Sequence, residues 1–176
     1  MITELYTERL HLRKMALADA PYLYSIWSDP DVTKFMNIEG FTDQSQAVDI
    51  INYLDTLAQE GKAYRYSIIE KESNRVIGSC GYNTIDFENE KTEIGYDLAK
   101  SYWGKGFAAE ALSALINQAF HSLQLNRVEA KVEPENVDSI KLLSKLNFTF
   151  EGTLRQYEKS KGNFIDLCMY SRLVTD

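Results

Sequence analysis

Two glycines stand directly before a long apolar helical segment, in the run Tyr102-Trp103-Gly104-Lys105-Gly106-Phe107-Ala108-Ala109-Glu110-Ala111. Apolar residues then recur at helical spacing to about residue 123, which predicts a helix whose wide apolar face has to be covered by a sheet. Glycine leaves backbone N–H groups open to close approach, and a helix start carries partial positive charge. The segment therefore predicts an anion site, most simply for a pyrophosphate, with a plain tight turn as the alternative.

The residues on either side of this loop predict strands and helices that alternate from end to end. Apolar patterning predicts strands at about 9–13, 64–69, 75–82, 92–98, 127–132, 148–157 and 164–172. It predicts helices at about 19–29, 43–61, 106–123 and 136–147, with Asp19 and either Thr42 or Asp43 capping the first two. Short turns join the second, third and fourth strands into an antiparallel meander. We expect one α/β domain over 1–176, with about seven strands in a mixed sheet flanked by helices.

Charge and composition argue against several classes of protein. A net charge of −7 disfavours nonspecific binding to nucleic acid. No apolar run approaches the ~20 residues that would span a bilayer, and the N-terminus lacks the basic and apolar regions of a signal peptide. Cys80 and Cys168 are too few for a disulfide framework, so we expect buried cysteines in a reduced, cytoplasmic setting. With only His11 and His121 as histidines, we assign no metal and give His11 a structural role.

The glycine loop also matches Gly-x-Gly-x-x-Ala, the fingerprint of dinucleotide-binding domains, with Glu133 in the position of the ribose-binding acid. In those domains, however, the loop follows the first strand of a parallel sheet. Here the glycines follow an antiparallel meander, and only one further helix precedes two strands joined by a hairpin turn. Chain order therefore favours a pyrophosphate site on a mixed sheet over a nicotinamide site.

Five segments together resemble the GCN5-related N-acetyltransferases, specifically the Rim-type branch that acts on the N-termini of ribosomal proteins. The segments are Thr7-Glu8-Arg9-Leu10-His11-Leu12-Arg13, Glu93-Ile94-Gly95-Tyr96, the glycine loop from Trp103 to Ala111, Asn136-Val137-Asp138-Ser139 through Asn147-Phe148, and Glu151-Gly152-Thr153-Leu154-Arg155. The resemblance covers essentially the whole chain. It implies the acyl-CoA N-acyltransferase fold, whose mostly antiparallel sheet splays after the fourth of the predicted strands.

The resemblance also implies where acetyl-CoA binds. Its pantetheine arm would lie in the split of the sheet, bonded to the backbone near Tyr96 to Ala99, and its pyrophosphate would lie on the backbone from Gly104 to Ala109. The implied coenzyme residues are Tyr96, Leu98, Trp103, Gly104, Lys105, Gly106, Phe107, Ala108, Ala109, Asn136, Ser139 and Lys145. Trp103 and Ala108 differ from the broader family pattern, and Trp103 is usual in the Rim-type branch.

Acetyl transfer needs a group that takes a proton from the amine and, preferably, a group that protonates the departing thiolate. Many family members use a tyrosine for the second task, but this chain has Leu143 at that position. The Rim-type resemblance offers Ser139 instead, three residues after Asn136. A first-turn position in the helix explains Ser139 equally well, and helix capping explains Asn136.

Glu158 matches the glutamate that is the proposed base in the Rim-type branch, and a solvated turn carboxylate is its alternative role. Glu93 is the second candidate, either through a water or as an anion that binds the amine. Alternation places Glu93 and Gly95 on one face of their strand, with Ile94 and Tyr96 on the other. Tyr82 and Tyr157 are candidates for the acceptor pocket, although aromatic strand residues more often lie in the core.

The resemblance predicts an N-acetyltransferase that moves an acetyl group from acetyl-CoA to a primary amine by direct attack in a ternary complex. A protein or peptide N-terminal α-amine is the first choice of acceptor, and a polyamine or another small amine is the second. A non-catalytic acyl-CoA-binding module and a nicotinamide oxidoreductase are further alternatives. We expect no nucleic-acid or membrane partner, and a homodimer is one open possibility.

Overall fold

The computed structural model describes residues 2–176, and an eight-stranded sheet forms its centre. The strands are β1 (Leu5–Tyr6), β2 (Leu10–Lys14), β3 (Tyr64–Glu70), β4 (Arg75–Asp86), β5 (Lys91–Leu98), β6 (Arg127–Val132), β7 (Thr149–Ser160) and β8 (Asn163–Leu173). The strands β2 to β8 are those that the sequence predicts. The two-residue strand β1 is an addition that pairs antiparallel with β2, and it is too short to leave a periodic pattern.

The sheet order is β1-β2-β3-β4-β5-β6-β8-β7. All neighbouring strands are antiparallel except β5 and β6, which run parallel and pair through Lys91–Glu93 and Arg127–Glu129. Beyond that pairing β5 continues to Leu98 and β6 to Val132, and within residues 2–176 no ladder joins these extensions. The predicted splay after the fourth predicted strand, here β5, is therefore confirmed, and this mostly antiparallel sheet is unlike the parallel sheet of a dinucleotide-binding domain.

Within residues 2–176, five α-helices flank the sheet: α1 (Ala20–Trp27), α2 (Pro30–Thr33), α3 (Gln44–Gln59), α4 (Phe107–Asn117) and α5 (Val137–Lys145). Asp43 caps α3 as expected, since its carboxylate accepts the Ser45 N–H at 2.8 Å. After α4, a π-helical turn over Gln118–Ser122 continues the chain, close to the predicted end of that helix. Asn147, with a φ of 63°, provides the left-handed stop expected after α5.

Two apolar clusters cover opposite faces of the sheet. Ile77 belongs to the cluster that packs under α4, and its neighbour Val76 contacts the cluster formed by α1 and α3. Successive strand residues point to opposite faces, so the helices form two outer layers. Tyr82 lies in the α4 cluster with its hydroxyl bonded to the Leu115 carbonyl, which makes it a core residue. None of the helices in the described part of the chain is long and apolar enough to cross a membrane.

The cysteines and His11 occupy the structural positions that the sequence predicts. Cys80 and Cys168 are both buried, and burial raises the pKa of the Cys80 thiol to about 12. A thiol with so high a pKa supplies almost no thiolate at neutral pH. His11 stacks on Tyr6 at 4.4 Å between ring centroids, and its Nε2 lies 2.8 Å from a Glu4 oxygen.

Asp19 does not cap α1 with its side chain, as the sequence predicts that it should. It precedes α1, but its carboxylate makes no capping bond to that helix. It is instead buried, and accepts hydrogen bonds from both terminal nitrogens of Arg13, at 2.8 and 2.7 Å, and from Ser67 at 2.7 Å. Burial by itself would raise the pKa of Asp19, but these hydrogen bonds outweigh burial and lower it. The carboxylate thus acts as a buried ionic anchor between β2, β3 and the start of α1.

Asp19→Asn tests this anchor. Because the folded pKa of Asp19 is lowered, its contribution is present above the unfolded value of about 3.9 and is lost as the pH falls through the folded pKa. We expect the variant to lose about 3 kcal/mol of unfolding free energy at about pH 7, and about 1 kcal/mol less than that near pH 3, since one carboxyl gives up at most about 1.4 kcal/mol per pH unit below its unfolded pKa. Urea denaturation at both pH values measures the difference. Asp49→Asn, at an exposed position of α3, is the control and should change stability by less than about 0.5 kcal/mol. An equal loss at both pH values would contradict the ionic account.

Candidate active site

Two adjoining cavities lie at the split, one between β5 and β6 and the other between the end of β5, the glycine loop and α5. The first, of about 630 Å³, reaches the glycine loop and is lined by Leu98, Trp103, Gly104, Gly106, Phe107 and Ala108; we call it the loop cavity. The second, of about 490 Å³, is lined by Glu93, Glu133 and Glu158; we call it the carboxylate cavity. Phe35, Tyr96, Asn136 and Ser139 line both. A molecule in one cavity can therefore meet a molecule in the other at these shared residues.

The glycine loop has the backbone conformation that an anion site needs. Gly104 and Gly106 have φ values of 73° and 81°, which residues with a side chain rarely adopt. Gly106 is the N-cap of α4, and the first helical bond joins the Glu110 N–H to its carbonyl at 3.1 Å. The amides of the first turn thus have no helical partner of their own. They are free donors at the positive end of the helix.

Trp103 fixes the loop to the end of β5. Its indole N–H donates to the Leu98 carbonyl at 2.9 Å, and the Ala99 N–H donates to Ile77 at 2.8 Å. Two of the backbone groups in the segment expected to bind pantetheine are therefore already engaged within the protein. The segment that remains for a ligand strand is centred on Tyr96.

Arg9 supports the same loop from a position 96 residues away along the chain. One terminal nitrogen donates to the Lys105 carbonyl at 2.9 Å, and Nε donates to Glu110 at 2.7 Å. The guanidinium lies over the Phe107 ring, 4.1 Å from its centroid. A Cβ at Gly106 would stand 3.4 Å from Arg9 Nη2, which is an ordinary contact, so the positive φ and not a lack of space calls for glycine here. The sequence places Arg9 in a family motif but carries no signal for this role, which depends on a tertiary contact.

Glu110 completes this support. Thr7 donates to its carboxylate at 2.6 Å and the Arg9 backbone N–H donates at 2.8 Å. Burial alone would raise the pKa of Glu110, but the bonds from Thr7 and Arg9 outweigh burial and lower it. The carboxylate therefore stays ionised and holds Arg9 against the loop.

A pair of hydroxyl groups lies where the cavities meet. Tyr96 Oη and Ser139 Oγ are 2.8 Å apart. The Ser139 N–H donates to the Asn136 side chain at 3.3 Å, so Asn136 caps α5 and lines both cavities at once. Leu143 is buried against the carboxylate cavity, at the position where many family members have a tyrosine. The polar groups nearest the junction are thus Tyr96, Ser139 and Asn136.

Glu93 has partners that limit its chemistry. Lys131 donates to one of its oxygens at 2.7 Å, and Asn83 donates to the other at 3.4 Å. The ammonium of Lys131 also lies 5.2 Å from the centroid of the Tyr157 ring. Burial by itself would lower the pKa of Lys131, but the hydrogen bond and charge of Glu93 outweigh it and raise the pKa. Glu93 is therefore one half of a persistent ion pair.

Glu158 and Glu133 lie in the same cavity, and the described residues form no such bond with either of them. Both are half-buried. Burial raises the pKa of Glu133, the negative charges of Glu135 and Glu158 raise it further, and Lys161 opposes the shift. The sequence offered Glu133 only as a ribose-binding acid. Its place at the end of β6, beside the predicted split, was the signal for a position in this cavity.

The hairpin of β7 and β8 crosses the carboxylate cavity and contacts the segment after α2. Lys161 donates to the carbonyls of Thr33 and Lys34 at 2.6 and 3.2 Å, and Asn37 donates to the Lys159 carbonyl at 3.3 Å. These bonds bring Glu158 over the cavity. Tyr157, half-exposed, lines the same wall.

Some predicted coenzyme residues lie away from the cavities. Lys145 is exposed in the last turn of α5 and lines neither cavity, and Lys105 and Ala109 contribute no lining surface. Ala109 still belongs to the first turn of α4, whose amides face no helical acceptor. Among residues 2–176, no group of three or more His, Cys, Asp or Glu is arranged to hold a metal ion.

A split mixed sheet with a bare glycine loop at a helix start is the arrangement that the resemblance to the N-acetyltransferases implies. The family model for the acetyltransferase (GNAT) domain matches residues 9–149. The chain belongs to the GNAT acetyltransferase family, and it is an acetyltransferase.

Named relatives agree with this assignment. An uncharacterized N-acetyltransferase, p20, from Bacillus licheniformis is 61% identical over 169 residues, which cover 96% of this chain and 95% of the relative. The ribosomal-protein-serine acetyltransferase of Escherichia coli is 32% identical over 118 residues, or 67% of this chain and 65% of that protein.

Solved structures show the same fold. RimL, a ribosomal L7/L12 α-N-protein acetyltransferase solved with coenzyme A, superposes with a TM-score of 0.85. The two sequences are 25% identical, and the match covers 96% of each chain. The Rim-type fold predicted from the sequence is confirmed.

Gly106→Ala tests the loop, with Gly61→Ala as its matched control. Both glycines have positive φ, 81° and 69°, so each substitution adds backbone strain of about 1 kcal/mol. Only Gly106 lies in the loop, where relief of the backbone strain displaces the amides. We expect both variants to melt at a lower temperature, and the KM for acetyl-CoA to rise about tenfold in Gly106→Ala alone. Initial-rate kinetics and thermal melts measure both effects, and equal KM values in the two variants would contradict a binding role for this loop.

Proposed function

We propose that this acetyltransferase moves an acetyl group from acetyl-CoA to the N-terminal α-amine of a protein or peptide, by direct attack in a ternary complex. The similarity to RimL and to the ribosomal-protein-serine acetyltransferase supports this acceptor class. One structural observation carries the proposal. A cavity with bare helix-start amides meets a cavity with carboxylates at Tyr96 and Ser139.

The loop cavity is the donor site in this proposal. The amides from Gly104 to Ala109 hold the diphosphate, because they lack helical partners and lie at the positive end of α4. The pantetheine arm follows β5 past Tyr96 into the split, as an added strand would. Trp103 holds the loop and Asn136 borders the thioester. Lys105 and Lys145, both exposed, contribute positive charge outside the cleft.

The carboxylate cavity is the acceptor site. An amine attacks a thioester only when neutral, and at pH 7 roughly a tenth of an α-amine with a pKa near 8 is neutral, against under a thousandth of a lysine near 10.4. A single carboxylate base is therefore sufficient for an α-amine. Three glutamates against Lys131 give the cavity a negative balance, which favours a positively charged acceptor on its approach.

Glu158 is the base in this proposal. It lines the acceptor cavity and has no ion-pair partner in the described part of the chain, whereas Glu93 is bonded to Lys131 at 2.7 Å. A carboxylate that accepts a proton next to an ammonium loses that ion pair, so Glu93 is the poorer base. Glu93 and Lys131 instead set the charge and shape of the wall opposite Glu158. Ser139, at the junction, is the hydrogen-bond donor to the departing sulfur.

A panel of acceptors tests the acceptor class. Peptides that start with Ala or Ser are compared with the same peptides carrying a blocked N-terminus and an internal lysine, and with spermidine. We expect kcat/KM for the free α-amine peptides to exceed that for the blocked peptides by about 100-fold, in line with the neutral fractions of the two amines. Thiol release from acetyl-CoA gives the rates, and mass spectrometry locates the acetyl group. If spermidine is the best substrate, the acceptor is a polyamine and the proposed peptide acceptor is wrong. If no amine is acetylated, the proposed acetyl transfer itself is wrong.

Glu158→Gln and Glu93→Gln separate the two candidate bases. With the preferred peptide, we expect Glu158→Gln to lower kcat about 100-fold while the Kd for acetyl-CoA stays within about twofold. Glu93→Gln should lower kcat less than about fivefold, and should lower the melting temperature because it leaves Lys131 unpaired. Glu88→Gln, exposed in the turn before β5, is the control for surface charge. The reverse pattern, with kcat lost only in Glu93→Gln, would make Glu93 the base.

A further inference from the structure

Collapse of the tetrahedral intermediate breaks the carbon–sulfur bond and leaves the electron pair on sulfur. Protonation of that sulfur makes coenzyme A a better leaving group. The side chain at the usual acid position is Leu143, which is buried and has no proton to give. A serine hydroxyl alone is a weak acid and has a single proton. Its usefulness therefore depends on where that proton points.

The position of Tyr96 determines the direction in which the Ser139 proton points. Its hydroxyl is 2.8 Å from Ser139 Oγ, and Ser139 Oγ is the partner that the structure gives it. A phenol is a stronger hydrogen-bond donor than an aliphatic alcohol, because its conjugate base is more stable. The favoured direction therefore runs from Tyr96 to Ser139. With its oxygen accepting from Tyr96, Ser139 keeps its own proton free for another acceptor.

Both side chains are fixed by the fold. Tyr96 comes from the part of β5 that has lost its pairing with β6, and Ser139 from the first turn of α5. The bond from the Ser139 N–H to Asn136 sets that first turn. Burial raises the pKa of Tyr96 and the bond to Ser139 opposes the rise only in part, so the phenol stays protonated at neutral pH.

We propose that Tyr96 is the positioning residue for thiolate protonation, acting through Ser139 on the sulfur of coenzyme A. As the carbon–sulfur bond breaks, the Ser139 proton passes to sulfur, the Tyr96 proton passes to Ser139 Oγ, and water entering the open cavity returns a proton to Tyr96. The inference rests on the proposed function, since it assigns a role within that transfer. It gives the chain a substitute for the tyrosine missing at residue 143.

Tyr96→Phe removes the hydroxyl and keeps the ring. With acetyl-CoA and the preferred acceptor, we expect kcat to fall at least about tenfold, while the KM for acetyl-CoA and the melting temperature stay near the wild-type values. Tyr53→Phe, exposed on α3, is the control. Acetyl-seleno-CoA is the second donor, because a selenolate leaves readily without a proton. On that donor, the ratio of wild-type to Tyr96→Phe rates should fall to within about threefold.

Two further variants distinguish a role in proton transfer from a purely structural role of Tyr96. Ser139→Ala and the double variant Ser139→Ala with Tyr96→Phe should lose kcat equally, since Tyr96 acts through Ser139. An unchanged kcat in Tyr96→Phe, an equal loss on both donors, or additive losses in the double variant would overturn the inference and leave the transfer intact. A wild-type protein that binds acetyl-CoA and acetylates no amine would overturn the proposed function, and this inference with it.

Discussion

The site depends on one limit in the sheet, namely that β5 and β6 pair over only three residues each before they diverge. Unpaired strand groups in an interior cost free energy unless something else bonds to them. The protein satisfies part of that demand itself, because the Trp103 indole N–H donates to the Leu98 carbonyl. The remainder, around Tyr96, is open to a ligand that can add hydrogen bonds as a strand does. The cleft is therefore a consequence of strand direction: parallel neighbours require a crossover, and the crossover helix α4 begins at the mouth of the split with its amides free.

A chain of hydrogen bonds between charged and polar side chains joins the strands β3, β4 and β5 to β6 across the split. Arg65 bonds to Asp97, Ser79 and Asn83, and Asn83 bonds onward to Glu93, which pairs with Lys131 across to β6. Gly95 lacks the Cβ that would stand 2.7 Å from the Asn83 amide nitrogen, so this connection needs glycine at that position. The chain of bonds spans β3 to β6 and ends in the carboxylate cavity. Arg65 is paired with Asp97, and Glu93 is paired with Lys131. Because both ion pairs are satisfied, they hold this wall of the carboxylate cavity in place. The same pairing distinguishes Glu93 from Glu133 and Glu158, the two cavity carboxylates for which residues 2–176 show no ion pair, and it is the reason why we propose Glu158 rather than Glu93 as the base.

Local sequence patterns predicted most of the fold because strands and helices follow short periods. The strands β2 to β8, the cap at Asp43, the stop at Asn147 and the free amides of the glycine loop all follow from residues close together in the chain. Positions that depend on distant partners could not be read in this way. Asp19 has the spacing of a helix cap, but Arg13 and Ser67 bond to its carboxylate instead. Arg9 reaches the loop only once β2 packs beside α4, and the approach of Tyr96 to Ser139 joins a strand to a helix 43 residues later.

The same distinction applies to the proposed proton donor, since this chain has Leu143 where many family members have a tyrosine. A proton donor on α5 at that position would project from the second turn of the helix, whereas Ser139 projects from the first and is shorter than a phenol by a whole ring. In our proposal a second hydroxyl orients the Ser139 hydroxyl. Strand β5 supplies that hydroxyl from Tyr96, because the Tyr96 side chain faces α5. Alternation puts Tyr96 on the face shared with Ile94, toward the helices α4 and α5, and away from Glu93 and Gly95. The hydroxyl pair that we propose to act on the sulfur therefore lies on one face of β5, Glu93 at the wall of the proposed acceptor cavity lies on the other, and the proposed base Glu158 comes from β7.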